Sequence, residues 1–118
     1  MEVIFGNVPS KSNSYKIIKI GNHCSMYKTA AVKKYEDSFY MQLSGNLRGK
    51  MITGFFEIHI DVYYPSMRSD LDNSLKCVLD CLQKTKTIKN DNKCSKIIAR
   101  RFVDKVNPRI EFDILEVD

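Results

Sequence analysis

The chain has 118 residues, enough for one domain with one packed core and too few for two. Apolar residues make up 43% of it, which excludes wholesale disorder, and no apolar run approaches the roughly 20 residues that cross a bilayer. Lysine and arginine number 19 against 14 acidic residues, and the net charge of +5 suits a polyanionic partner, of which nucleic acid is the commonest.

The start, Met1-Glu2-Val3-Ile4-Phe5, has neither the basic flank nor the long apolar stretch of a secretory signal. A cytoplasmic, reducing setting is expected, in which Cys24, Cys77, Cys81 and Cys94 stay free thiols.

No linker, repeat or low-complexity block interrupts residues 1–118, which are read as one domain. Residues 2–8 form a short strand, followed by a loop over 9–14. Residues 15–20 (Tyr-Lys-Ile-Ile-Lys-Ile) are β-branched and partly alternating, giving a second strand or an extended arm. Ala31, Val32, Tyr35, Phe39 and Leu43 recur at helical spacing over 29–43, with Gly45 and Gly49 as stop signals.

The clearest strand is 54–64, where Phe56, Ile58, Ile60 and Val62 alternate with Glu57, His59 and Asp61 until Pro65. A second helix is expected over 72–84. Leu71, Leu75, Val78, Leu79 and Leu82 share its apolar face, leaving Cys77 and Cys81 outside the stripe and free for a dimer contact. A polar loop over 86–93, a strand over 95–103 and a closing alternating strand over 109–117 complete the chain. Helices and strands mix without a βα rhythm, so the expected class is α+β, a mixed sheet packed with two main helices.

The chemistry concentrates in Arg68-Ser69-Asp70-Leu71-Asp72-Asn73-Ser74-Leu75-Lys76. Around a helix start, carboxylates at i and i+2 can converge on one point while Leu71 turns inward. Lys76 follows Asp72 by one turn on the same face, and Asp80 extends that polar ridge. Asp91 brings a third carboxylate from the loop after the helix.

Hard cations such as Mg²⁺ take carboxylate oxygens and share them with substrate phosphate. In phosphodiester hydrolysis they lower the pKa of bound water and stabilise the attacking and leaving oxygens. Lys76 would meet the charge on the scissile phosphate. Two carboxylates about 4 Å apart repel by on the order of 4 kcal/mol at an effective dielectric of about 20, which a divalent ion relieves. The bland alternative is that Asp72 is an N-cap, Asp70 a turn residue, and Lys76 with Asp80 an exposed i, i+4 pair.

The run 68–76, with its continuation Cys77-Val78-Leu79-Asp80-Cys81-Leu82, resembles the signature of the RusA-type Holliday junction resolvases. That family carries arginine, a variable residue, Asp-Leu-Asp-Asn, two residues, a lysine and an apolar helix with a further Asp. Pro9-Ser10-Lys11-Ser12-Asn13 is similar to the family's N-terminal Pro-Ser-x-x-Asn loop, and Ile88-Lys89-Asn90-Asp91-Asn92 stands where the family has an acidic pair.

The resemblance implies a Mg²⁺-dependent (or Mn²⁺-dependent) homodimeric endonuclease, of a kind often borne by phages, that resolves four-way DNA junctions by paired symmetric nicks. It makes Asp70, Asp72 and Asp91 the metal-binding carboxylates and Lys76 the essential lysine. Asn90 departs from the family by replacing the first acid of the downstream pair. That departure keeps a second expectation in play, a catalytically silent module that binds branched DNA.

Basic residues at 11, 84, 86, 89, 93, 96, 100 and 101 suit a surface that tracks phosphates without reading sequence; Lys89 and Lys93 flank Asp91, and with Lys11 they are the expected DNA contacts. No zinc knuckle is present, and Cys77, Cys81 and Cys94 are read as small packing groups. His59 is expected at the surface or the rim of the site, and Tyr63 and Tyr64 in the core or at that rim.

Overall fold

Alternation over the fourth strand decides the architecture. In the computed structural model, which describes residues 1–9, 15–20, 23–28, 30–69 and 71–117 (15–20 and 23–28 as backbone alone), that strand buries every second residue. The described elements are β1 (Glu2–Phe5), β2 (Tyr15–Ile20), β3 (His23–Lys28), α1 (Ala30–Gln42), β4 (Phe56–Tyr64), α2 (Leu71–Lys84), a 3₁₀ turn (Asp91–Lys93), β5 (Cys94–Val103) and β6 (Arg109–Glu116). Four strands form one mixed sheet in the order β1-β6-β4-β5. β4 and β5 are parallel, and the other neighbours are antiparallel.

Phe56, Ile58, Ile60, Val62 and Tyr64 point to the buried face, joined across the ladder by Ile110 and Phe112. Both helices cover this face. α1 lays Val32, Tyr35 and Phe39 into it, and the Phe39 ring stacks on Phe112 at 6.1 Å. α2 is tied to the end of β4 by the Tyr64 hydroxyl, which donates to Ser74 Oγ at 2.7 Å. The α+β expectation of a mixed sheet with two helices holds.

Two features depart from the sequence reading. The segment 23–28 pairs with β2 as a two-stranded ribbon separate from the main sheet. The sequence cue is a Gly-Asn dipeptide at 21–22 between two strand-length runs, a pattern that favours a hairpin. The second departure concerns α2, whose buried face is Ser74, Cys77, Val78, Cys81 and Leu82. Leu71, Leu75 and Leu79 are only half-buried.

The reason for this rotation is α1. Its Tyr35 sits against Cys77 and Cys81, and its Glu36 pairs with Lys84. Small sulfur side chains let the two helices approach, which turns the larger leucines toward the opposite flank. The cysteines are therefore core residues and not an exposed dimer contact, although Cys77, Cys81 and Cys94 are free thiols as expected. Cys77 hydrogen-bonds to the Cys81 thiol, and this bond, followed by burial, holds Cys81 far above the usual thiol range. Among the described residues no helix is long and apolar enough to cross a membrane.

Candidate active site

The start of α2 follows directly from how β4 ends. Pro65 cannot continue the ladder, and the loop over 65–69 is tightened by the Arg68 backbone N–H donating to Ser66 Oγ at 3.4 Å. From β5, Arg101 lays its guanidinium over the Tyr64 ring and donates to the Met67 carbonyl at 3.3 Å. Asp70 lies outside the described residues, as does Lys11. α2 begins at Leu71, so Asp72 stands within its first turn and is not the N-cap. An acidic residue there faces the positive end of the helix dipole. Asp72 and Lys76 are both exposed, one turn apart on the side that also carries the half-buried leucines.

Asp91 sits elsewhere. The loop after α2 is stitched to the segment after α1: the Lys86 and Thr87 carbonyls accept from Met51 and Ile52, and the Ile52 carbonyl accepts from Lys89. Thr85 and Thr87 are buried and hydrogen-bond to each other at 2.9 Å, which stiffens the loop from inside. Asn90 then caps the 3₁₀ turn, its Oδ1 accepting from Asn92 N at 3.1 Å. An asparagine does this as well as an aspartate, so the missing charge has a local structural role in its place. The Asp91 backbone N–H donates to Gln83 Oε1 at 3.2 Å. Burial, ahead of the nearby Asp91 charge, raises the pKa of the adjoining Cys94.

Gln83 fixes the scale. It lies eleven positions after Asp72, or about 16 Å along a helix that rises roughly 1.5 Å per residue. Asp72 and Asp91 of one chain therefore sit toward opposite ends of α2. Among the described residues no three acidic, histidine or cysteine side chains gather into a metal-binding group. The helix wheel nonetheless puts Asp72, Lys76 and Gln83 on the same outer flank, away from α1. The sequence offered no cue for Gln83, whose role appears only once the loop folds back.

The basic residues divide by place. Lys86 and Lys89 are exposed near Asp91, and the Lys93 ammonium stands 4.8 Å from the centre of the exposed Phe55 ring. Lys84 is engaged by Glu36. Arg100 points to the bare face of the sheet, where it makes two bonds to Asp61 at 2.8 and 2.9 Å. On that face Arg109 joins Glu111 and Asp104, Tyr63 stacks on Phe102, and His59 lies 3.4 Å from Glu57. Its charges neutralise one another, which suits a phosphate backbone poorly. His59 is thus a surface residue on the wrong face to rim the acidic flank, and Tyr64 is core.

Exposed Asp72 and Lys76 on α2, and exposed Asp91 between Lys89 and Lys93, give this small α+β domain acidic side chains beside lysines. The family model for endodeoxyribonuclease RusA matches residues 7–115, and the chain belongs to that family. Membership makes it an endodeoxyribonuclease of the Holliday junction resolvase class. No curated protein matches the chain.

Proposed function

We propose that the protein is a Mg²⁺-dependent homodimeric endonuclease of the cytoplasm, Mn²⁺ serving in place of Mg²⁺, which resolves four-way DNA junctions by paired symmetric nicks. Each catalytic centre would take Asp70 and Asp72 from one copy and Asp91 from the other. One observation supports this: Asp72 lies in the first turn of α2, whereas Asp91 is held through Gln83 at the other end of that helix, whose Cα stands about 16 Å of helix rise from Asp72. A two-fold axis beside the outer flank of α2 runs two α2 helices antiparallel and brings the first turn of each toward the last turn of its mate. Two equivalent centres then face the two equivalent strands of a junction.

In this arrangement Asp70, Asp72 and Asp91 hold the cation, and their all-oxygen donor set matches a hard divalent ion. The ion, when bound, supplies Lewis acidity toward the phosphate and a lowered pKa for water. Lys76, one turn beyond Asp72, meets the phosphate charge as it grows in the transition state. Lys89 and Lys93 place the backbone beside Asp91, and Lys11 is a further phosphate contact from the N-terminal segment. The capping role of Asn90 supports a catalytic reading over a silent one, since the turn that presents Asp91 is intact without a second acid.

The test mixes two dead variants. Wild-type protein with Mg²⁺ is expected to nick synthetic four-way DNA. Asp72→Asn and Asp91→Asn should each lose about a thousandfold in rate, near 4 kcal/mol of transition-state stabilisation, while still binding the junction. A heterodimer of the two holds one doubly impaired centre and one intact centre, so the mixture should regain nicking of single strands without paired cuts. A mixture as inactive as its components would show that the centre is not shared. Wild-type protein inert with both Mg²⁺ and Mn²⁺ would end the catalytic reading.

A further inference from the structure

At the entrance to β4 the chain leaves an aromatic ring in solvent. Phe55 is 53% exposed, while Phe56 beside it is fully buried. Two bonds fix the backbone there. The Phe55 carbonyl accepts from Val117 N at 2.9 Å, and the Phe56 carbonyl accepts from Ser95 Oγ at 3.2 Å. At the same point the ladder between β4 and β5 shifts register, Phe56 pairing with Cys94 and Glu57 with Lys96. Irregularities of this kind re-aim the side chains around them. Lys93, just before β5, lies across one side of the Phe55 ring, its ammonium 4.8 Å from the ring centre. On the chain before the ring, a side chain at Gly54 would meet nothing within 4 Å, so the approach is open.

The surroundings are cationic. Lys93 ends the 3₁₀ turn that begins at Asp91, and Lys86 and Lys89 are exposed on the loop before it. An aromatic face among lysines is the arrangement that holds unpaired nucleic acid: the ring stacks on a base while the cations meet the backbone. A protein partner suits the place less well, because lysine is depleted from the centres of protein interfaces.

We infer that Phe55 is a stacking platform for a nucleobase that has left the duplex stack at a branch point, and that it sets the preference for branched over linear DNA. This rests on the nuclease reading above and adds a specificity-determining residue to its site. In an intact duplex the faces of each base are covered by its neighbours, so the ring reaches one only after the cost of unstacking it. Where pairing is already disturbed, that cost is smallest. The ring therefore adds affinity at a branch and almost none along linear DNA. Lys93 meets a phosphate in either case and does not discriminate. Phe55 has no hydrogen-bonding group in its side chain, so the platform accepts any base. A base stacked there lies at the turn that presents Asp91, which brings its phosphate toward the proposed cation.

The test is made without divalent metal, so that binding is read apart from cutting. The probes are a four-way DNA junction with 2-aminopurine at the branch point and a linear duplex with the same base in mid-helix. Wild-type protein is expected to bind the junction more tightly and to alter the fluorescence of its 2-aminopurine. Phe55→Ala should lose about tenfold in junction affinity and all of the fluorescence change, with duplex affinity unaltered. Phe55→Trp should match or exceed wild type. Lys93→Ala should weaken on both DNAs and show a shallower salt dependence. Because Phe55 is exposed, its variants should keep the wild-type melting temperature.

Phe55→Ala that binds both DNAs as wild type does, or loses both equally, overturns the platform even if the protein cuts junctions. So does Phe55→Leu with wild-type junction affinity and fluorescence, since apolar bulk without a ring would then suffice. A Phe55→Ala protein that changes only its sedimentation without DNA assigns the ring to a protein contact and also overturns it. A wild type whose junction preference depends on Phe55 but that never cuts with Mg²⁺ or Mn²⁺ retires the nuclease reading and leaves the platform standing.

Discussion

The two edges of the sheet are treated differently. β1 has four residues, and a side chain closes its outer edge: Gln42, from the end of α1, accepts from Phe5 N at 2.8 Å and donates to Phe5 O at 2.9 Å, as a neighbouring strand would. The Glu2 carboxylate accepts from Ser44 N beside it. β5 has ten residues, four exposed apolar side chains and no comparable cap among the described residues. The protected edge lies under α1, and the open one lies under α2, with Asp72, Lys76 and Asp91 on its flank. Three of the ten β5 residues, Lys96, Arg100 and Arg101, are basic, so one edge is closed by a side chain and the other is guarded by charge.

The sharpest way to break this contrast is to attack the closed side through its packing. Phe39 is fully buried against Phe112. Phe39→Ala should cost about 3–5 kcal/mol in denaturant unfolding, the usual range for a large aromatic cavity. A loss below about 1 kcal/mol would mean that α1 does not hold that side shut.

Gln42→Ala probes the edge itself and should cost about 1 kcal/mol, since the freed groups of Phe5 can turn to water. It should cause no new self-association, because four residues make a poor template; oligomers appearing in sedimentation would show that the cap alone separates the two edges.

The smallest effect belongs to Asp104, just beyond β5, which accepts from Val106 N and Asn107 N and pairs with Arg109. The Asn107 bond, followed by Arg109, holds its carboxyl below the usual range. Its contribution is therefore complete above the unfolded value near 3.9 and lost as pH falls through the lower folded value. Asp104→Asn should lower the melting temperature slightly at pH 7 and match wild type in acid. An equal deficit at both pH values would assign the effect to shape and not to charge.

Local rules made much of the fold legible. Alternation over 54–64 and 109–117 and the helical stripe of α1 correspond to the observed β4, β6 and α1, because each is a period set by a single buried face. β5 read as a strand from β-branched content, but its edge position was invisible, since strand order is not encoded in local pattern. The α2 stripe misled for a related reason. Its leucines and cysteines are all apolar enough to bury, and only the approach of α1 along Cys77, Cys81 and Lys84 selects which set turns inward.

At the candidate site, Asp70-Leu71-Asp72 with Lys76 could be singled out because hard-cation chemistry demands oxygen donors at short spacing. Asp91 stood out as a third carboxylate in the following loop, and the resemblance to the family pattern is what assigned it to the cation. By itself, the sequence determined the class of fold, through short-range periodicity, and the family, through its motif, and it supplied the acidic residues proposed to hold a cation. The tertiary structure alone decided that Asp72 and Asp91 lie at opposite ends of α2 and that the strand beside them is left unpaired. Those are distances between segments remote in the chain, set by how the helices and strands pack.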